Sequence, residues 1–277
     1  MPIDTTPDAP NVDAQFKPLV EGDWSLAAHD ENYFCVYETL DRDIDVAAFH
    51  PVAPLGTHHT VLTLYSGSQP DGVVPCEAST NGTSMIYGSG VGAPDLALPD
   101  GVGLKLKKGQ RVLLNLHLYN TGDDVLTGHS GVYVKEAAAG SIVHEAEVVL
   151  AGPTLTLQVP SGVTTQQGPC SVGNFTREPV TVFSLSQHMH KRGRKLKTVL
   201  THAGTDTTLQ DEPYTFDLQA FHSITPVTIA PGDTITTYCT YENTGATTQF
   251  GDSSDAEMCF SDLFYYPAQK LTYFCTN

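Results

Sequence analysis

Apolar and polar residues alternate along this chain in short runs, and Gly, Pro, Asn and Asp separate one run from the next. Such runs include Tyr33–Tyr37, His59–Tyr65, Val112–Tyr119, Gly131–Lys135, Thr154–Val159, Val180–Met189, Lys197–His202 and Thr234–Tyr241. A period of two bounded by turn residues predicts β-strands, and many short strands at this spacing predict sandwiches or barrels. No run of helical length holds a 3.6-residue period, and Glu136-Ala137-Ala138-Ala139 is too short to stand as a helix. The chain is therefore read as all-β. The first two dozen residues, rich in Pro, Asp and Thr, carry no apolar period and are expected to form a flexible tail, residues 1–24, with the fold starting near Trp24. The turns Leu98-Pro99-Asp100-Gly101 and Ala230-Pro231-Gly232-Asp233 punctuate the two halves alike, which predicts two related sandwich domains, 25–140 and 141–277.

The same period places the polar residues. In Val112–Tyr119 it puts Asn115, His117 and Tyr119 on one face and only apolar residues on the other. The neighbours His58 and His59 follow Gly56 and chelate one metal only if the strand bulges or begins there, because adjacent residues of a regular strand face opposite ways. In Val182–His190 the alternation gathers Ser184, Ser186, His188 and His190 on one face. Two imidazoles two residues apart can hold one metal, and the pair suits copper, zinc or iron.

At 277 residues the chain has room for two domains. It carries 14 basic and 31 acidic residues, a net charge of −17, which repels phosphate backbones and so argues against a nucleic-acid partner. The basic cluster Lys191, Arg192, Arg194, Lys195 and Lys197 is read as a solvated strand end rather than a binding patch. No apolar stretch is long enough for a membrane span. The six cysteines contain no C-x-x-C pair, and their even number in an acidic chain favours three disulfides in an oxidising compartment over six free thiols. Six cysteines allow fifteen pairings, and the sequence alone selects none. Met1-Pro2-Ile3-Asp4 has neither the basic start nor the apolar core of a signal peptide. The signal or anchor of a secreted, periplasmic or cell-surface protein is thus expected outside this sequence.

Several stretches taken in order resemble one family. They are Tyr33-Phe34-Cys35, His58-His59, Cys76, Leu98-Pro99-Asp100-Gly101-Val102-Gly103, His117, His188-Met189-His190-Lys191-Arg192-Gly193-Arg194-Lys195, Cys239-Thr240-Tyr241, Asp255-Ala256-Glu257-Met258-Cys259 and Tyr265-Tyr266-Pro267. From about residue 30 to the end this resembles the copper type II, ascorbate-dependent monooxygenases, which include the dopamine β-hydroxylases and the peptidylglycine α-hydroxylating enzymes. The resemblance implies jelly-roll-like sandwiches and two copper ions, with ascorbate or another one-electron reductant and O2 as co-substrates. It implies an electron-transfer copper on His58, His59 and His117, with Tyr33 and Asn115 supporting it. It implies a catalytic copper on His188, His190 and Met258, reached by electrons across a gap between the domains. It also implies the disulfides Cys35–Cys76, Cys170–Cys275 and Cys239–Cys259.

The substrate is less defined. By resemblance Ser186, Phe260 and Asp262 stand where the peptide-amidating branch has an arginine, an asparagine and a tyrosine that hold a peptide carboxylate. An acidic Asp262 disfavours a peptide C-terminus and suits a small cationic or neutral substrate. A copper-binding or storage protein without turnover, and an adhesion or lectin-like module, are the rival readings. Nothing in the sequence sets the oligomeric state.

Overall fold

The computed structural model describes residues 13–80, 82–216 and 219–276. These residues are strands and turns; the one helical element is a 3-10 turn at Val172–Asn174. Among them no helix is long and apolar enough to cross a membrane.

The sheets separate by sequence. A six-stranded sheet containing Phe16–Leu26, Ile44–Val52 and Leu126–Glu136 faces a five-stranded sheet containing Glu31–Thr39, Thr57–Tyr65 and Arg111–Tyr119. Between them lies a core that includes Trp24, Phe49 and Val132 from the first sheet and Leu62, Leu114 and Leu116 from the second. In the rest of the chain a five-stranded sheet holding Glu147–Gly152, Val180–Met189 and Cys259–Tyr266 faces a four-stranded one holding Gly162–Ser171, Gly193–His202 and Thr234–Asn243. Val149, Val182, Leu185, Leu200, Ile235 and Leu263 fill the space between those two. The strand pairing is antiparallel almost throughout, as expected of sandwiches whose inner faces alternate with outer ones.

The expected gap between the halves is not seen among the described residues. Phe183, Phe221 and Phe264 of the second half belong to the same buried cluster as the first half's core. Each such aromatic contributes roughly 1.5–3 kcal/mol by leaving water. Gly90 marks a close approach, because a Cβ there would stand 3.1 Å from the backbone of Gln219.

Two sequence expectations need correction. The tail expected to reach residue 24 ends earlier: Phe16–Leu26 is a strand paired antiparallel with Leu126–Glu136, while the first twelve residues of that tail lie outside the described residues. The register slips between Pro18 and Val20, so the alternation is broken where it would have betrayed the strand. In Thr154–Val159 only Gln158–Val159 is extended, and the neighbouring strand is the polar Gly162–Ser171. The cysteines are bonded Cys35–Cys76, Cys170–Cys275 and Cys239–Cys259, with Cα separations of 5.8, 5.5 and 5.8 Å that lie in the ordinary disulfide range.

Candidate metal centres

The Arg111–Tyr119 strand runs between Glu31–Thr39 and Thr57–Tyr65, which sets His117 opposite Tyr33 on one side and opposite His59 on the other. The register of Thr57–Tyr65 shifts between Thr57 and His59. A bulge opposes two residues to one of the partner strand and re-aims their side chains. Placed at His58, after Gly56 with φ of +94°, it lets two adjacent imidazoles share a side. The rings of His58, His59 and His117 are 4.8 to 4.9 Å apart, and their candidate ligand nitrogens all lie within 4.8 Å of one another.

Hydrogen bonds fix which nitrogens face inward. His117 Nε2 is 2.9 Å from Glu31 Oε1, and an ionised carboxylate can only accept, so Nε2 carries the proton. The other nitrogen, Nδ1, is buried without a hydrogen-bond partner among the described residues. His58 Nε2 donates to the Phe216 carbonyl at 2.7 Å, leaving its Nδ1 to meet His59 Nδ1 at 2.8 Å. Basic nitrogens converging on one buried volume, with an orphan among them, are the arrangement a metal ion satisfies. Tyr33 covers the site with its ring 4.3 Å from that of His117 and 7° from parallel. Asn115 does not reach a histidine; its amide donates to the carbonyls of Glu77 and Thr80 beside the Cys35–Cys76 bridge.

The second set is built on the end of a strand and a loop. Val180–Met189 pairs with Cys259–Tyr266, His188 opposite Phe260 and Ser186 opposite Asp262. His188 Nδ1 donates to Gln219 Oε1 at 2.7 Å, so its Nε2 offers a lone pair, and this nitrogen lies 3.2 Å from Met258 Sδ. A thioether has no proton to give, so two electron-pair donors face each other across that distance. His190 directs Nδ1 at the Ala256 carbonyl, 3.3 Å away, and its ring lies 5.4 Å from that of His188. Two imidazoles and a thioether form a donor set for a soft or borderline transition metal.

Burial is the leading cause that lowers the pKa of His58 to about 3, of His188 to about 4 and of His190 to about 3, and it holds His59 well below its ordinary value. All four imidazoles are thus neutral at pH 7, the form that binds metal.

The two sets touch. The ring of His59 is 5.4 Å from that of His188, although one lies on a first-half strand and the other on a second-half strand. Glu31 ties them further: its carboxylate accepts from His117, accepts from Ser254 Oγ at 3.0 Å, and lies 3.5 Å from Lys191 Nζ. The His117 hydrogen bond, ahead of the opposing effect of burial, lowers the Glu31 pKa to about 2. Glu257 does a related job for the second set, accepting from the backbone N–H groups of His190 at 3.0 Å and Arg192 at 2.9 Å. Burial raises its pKa to about 7, against those hydrogen bonds. The sequence reading assigned no role to Glu31, Phe216, Gln219 or Glu257. Only Glu31 and Glu257 left a usable trace, the first by sharing a strand face with Tyr33 and the second by preceding Met258.

The remaining residues expected at the site divide. Ser186 and Asp262 line a small cavity of about 30 Å³ together with His59 and His188. Phe260 is buried in an aromatic group with Phe250 and Phe274 and forms a wall beside His188. Of the basic cluster, Lys191, Arg194 and Lys195 pair with Asp255, Glu242 and Asp211, and Arg192 lies 3.9 Å from Glu257, so these side chains serve local ion pairs.

Residues 145–277 match the C-terminal domain of the copper type II ascorbate-dependent monooxygenases. Peptidyl-glycine alpha-amidating monooxygenase A of Xenopus laevis is 28% identical over 255 residues, covering 85% of this chain and 26% of that protein. DBH-like monooxygenase protein 1 of Homo sapiens is 29% identical over 231 residues, covering 75% of this chain and 36% of the relative. Dopamine beta-hydroxylase of Bos taurus is 33% identical over 97 residues, covering 33% of this chain and 16% of the relative. The matched part of the chain is therefore about a quarter to a third of the length of the first two.

Proposed function

The chain belongs to the copper type II ascorbate-dependent monooxygenase family, and on that premise we propose that it hydroxylates an activated C–H bond of a small substrate with O2 and an external reductant such as ascorbate. The first sandwich, from the strand Phe16–Leu26 to about residue 140, would then form the electron-transfer domain, and residues 141–277 the catalytic one. The observation that carries this reading is the contact between two donor sets of different chemistry. One is all imidazole; the other contains a thioether that faces His188 Nε2 at 3.2 Å.

His58, His59 and His117 fit the first copper, the last two of them meeting from opposite strands of one ladder. Glu31 and the Phe216 carbonyl hold Nε2–H of His117 and His58, which keeps Nδ1 of each available. A carboxylate behind a ligand imidazole also raises its basicity. His188, His190 and Met258 fit the second copper, with Gln219 and the Ala256 carbonyl fixing the two rings. The thioether biases that site toward Cu(I), the form that reacts with oxygen. When bound, the two coppers supply two electrons so that R–H, O2 and two protons become R–OH and water. Phe216 and Phe260 shield the sites from bulk water. The three disulfides accord with a secreted, periplasmic or cell-surface location.

The direct test combines copper analysis with oxygen uptake under ascorbate, using a panel of small amines and neutral metabolites. The expected result is two coppers per chain and substrate-dependent uptake. Two tightly bound coppers with no uptake on any substrate would leave a copper-storage protein instead.

A further inference from the structure

Among the described residues, Asp262 is the one carboxylate buried at the junction of the two donor sets that none of the preceding chemistry uses. Its residue is 5% exposed, and its Oδ1 has no hydrogen-bond partner among the described residues. It lines the cavity of about 30 Å³ that both halves enclose, Thr60 and Ser89 from one side and Ser186, His188 and Gln219 from the other. No lysine or arginine contributes to that lining. The volume is close to that of one water molecule, and an ammonium head group is of similar size. The walls offer a carboxylate, three hydroxyls and an amide, each able to accept a hydrogen bond; the Gln219 amide is already engaged with His188 and Phe216, and Thr60 with Ser89.

A buried carboxylate that stays ionised needs a positive partner; without one it takes up a proton. Burial alone raises the Asp262 pKa to about 8, which is how the group stands when no cation is present. An isolated acid at this place costs stability and has no structural return among the described residues, since it holds neither a backbone N–H nor a side chain of theirs.

We propose that Asp262 is the recognition group for a substrate ammonium ion, seated in the cavity between the halves with Ser186 and Ser89 accepting its remaining N–H bonds. The proposal deepens the monooxygenase reading and rests on it for the word substrate, although the ammonium site itself does not need copper. The ladder sets the scale. Ser186 and Asp262 form the rung two residues beyond His188 and Phe260, about 7 Å along the strand. An amine anchored at Asp262 thus lays its carbon chain along the seam toward His188 and presents a C–H bond several bonds away from its nitrogen. An anionic or a neutral substrate offers the carboxyl no cation to pair with, so only an ammonium ion gains from its ionisation.

The experiment uses the copper-loaded full chain and three probes of one shape: n-pentylammonium, 1-pentanol and pentanoate. Calorimetry or ligand-observed NMR is expected to give pentylammonium the tightest binding, by roughly ten- to hundredfold over the alcohol, the range of a charge-assisted hydrogen bond. Asp262→Asn is expected to erase that preference while copper analysis still finds two ions. The variant replaces a buried acid without a partner by an amide of nearly the same shape, so its Tm should be close to or above that of the wild type. Equal affinity for the three probes, a preference for pentanoate, or an Asp262→Asn protein that keeps the ammonium preference overturns the proposal. The two readings fail separately: ammonium binding lost in Asp262→Asn without oxygen uptake sinks the monooxygenase and keeps the site, and two coppers with uptake but no ammonium preference does the reverse.

Discussion

The two donor sets solve one problem in opposite ways. The first takes all three imidazoles from strands and needs an irregularity, the bulge at His58, to turn two neighbours the same way. The second takes His188 from the end of a strand that keeps its register from Ser184 onward, His190 from the residue just past that end, and its third donor from a loop. That loop is pinned by the Cys239–Cys259 bridge next to Met258, by the Tyr241 hydroxyl donating to the Met258 carbonyl at 2.7 Å, and by Glu257. The lesson is one of stiffness and softness. Three imidazoles held by a ladder suit a metal that changes charge without changing partners, whereas a loop-borne thioether can adjust to the metal's oxidation state.

The comparison breaks most severely when a ligand is removed. His117→Ala and His188→Ala should each lower bound copper from two ions to about one and abolish reductant-dependent oxygen uptake with an identified substrate. If either single variant loses both ions, the sets are one binuclear site rather than two, and their 5.4 Å ring contact is a structural necessity.

Met258→Ile tests the soft donor alone. The exchange of two apolar side chains of similar volume should cost about 1 kcal/mol or less, so misfolding does not imitate a chemical defect. Oxygen uptake should fall by about a hundredfold, the upper end for altering a metal site's surroundings, and copper–sulfur scattering should vanish from the X-ray absorption of the reduced protein. The first set should remain reducible. Persistence of the sulfur signal would make Met258 a packing residue.

How far the sequence foretold these sites follows from the same contrast. Strand alternation was sufficient for His188 and His190, because Val180–Met189 keeps its period from Ser184 onward, past a slip near Phe183. It was insufficient for His58 and His59, because a bulge is a backbone event and the residues alone leave two outcomes open. Glu31 needed the pairing of two strands to be known before its carboxylate could be placed on His117. Phe216 and Gln219 come from a segment without period, so nothing local announces that they orient ligands. The strand at Phe16–Leu26 hid behind Pro18, and the polar strand Gly162–Ser171 offered no apolar face to read. The resemblance, not the spacing, singled out one cysteine pairing among the fifteen.

Glu31→Gln sharpens the comparison at a smaller scale. Glutamine still accepts the His117 proton but carries no charge, so the imidazole becomes less basic and less favourable to Cu(II). Copper affinity at the first set should drop by about ten- to hundredfold, and its reduction potential should rise. The second set, oriented by Gln219 and the Ala256 carbonyl, should keep its affinity. Equilibrium titration followed by the distinct spectra of the two Cu(II) sites reads both at once. An equal loss at both sets would mean that Glu31 acts by joining the halves through Ser254 and Lys191, not through its imidazole.

The smallest expected effect concerns the ring that covers one set and, among the described residues, has no equal in the other. Tyr33 lies flat on His117 at 4.3 Å, whereas the nearest aromatic parallel to His188, Phe260, is 6.4 Å away. The Tyr33 hydroxyl reaches the Asp252 carbonyl only at 3.4 Å, a long hydrogen bond that adds little. Tyr33→Phe keeps the stacked face and should change copper affinity at the first set by less than about threefold, with a stability change of about 0.5 kcal/mol, the low end for a hydrogen bond. Tyr33→Ala removes the face itself and should cost about 0.5–1.5 kcal/mol from the lost ring pair alone, while admitting water to His117. Thermal unfolding and copper titration of the two variants side by side separate ring from hydroxyl. A phenylalanine variant as damaged as the alanine one would place the contribution in the hydroxyl, and the stacking on His117 would then be packing without consequence for the metal.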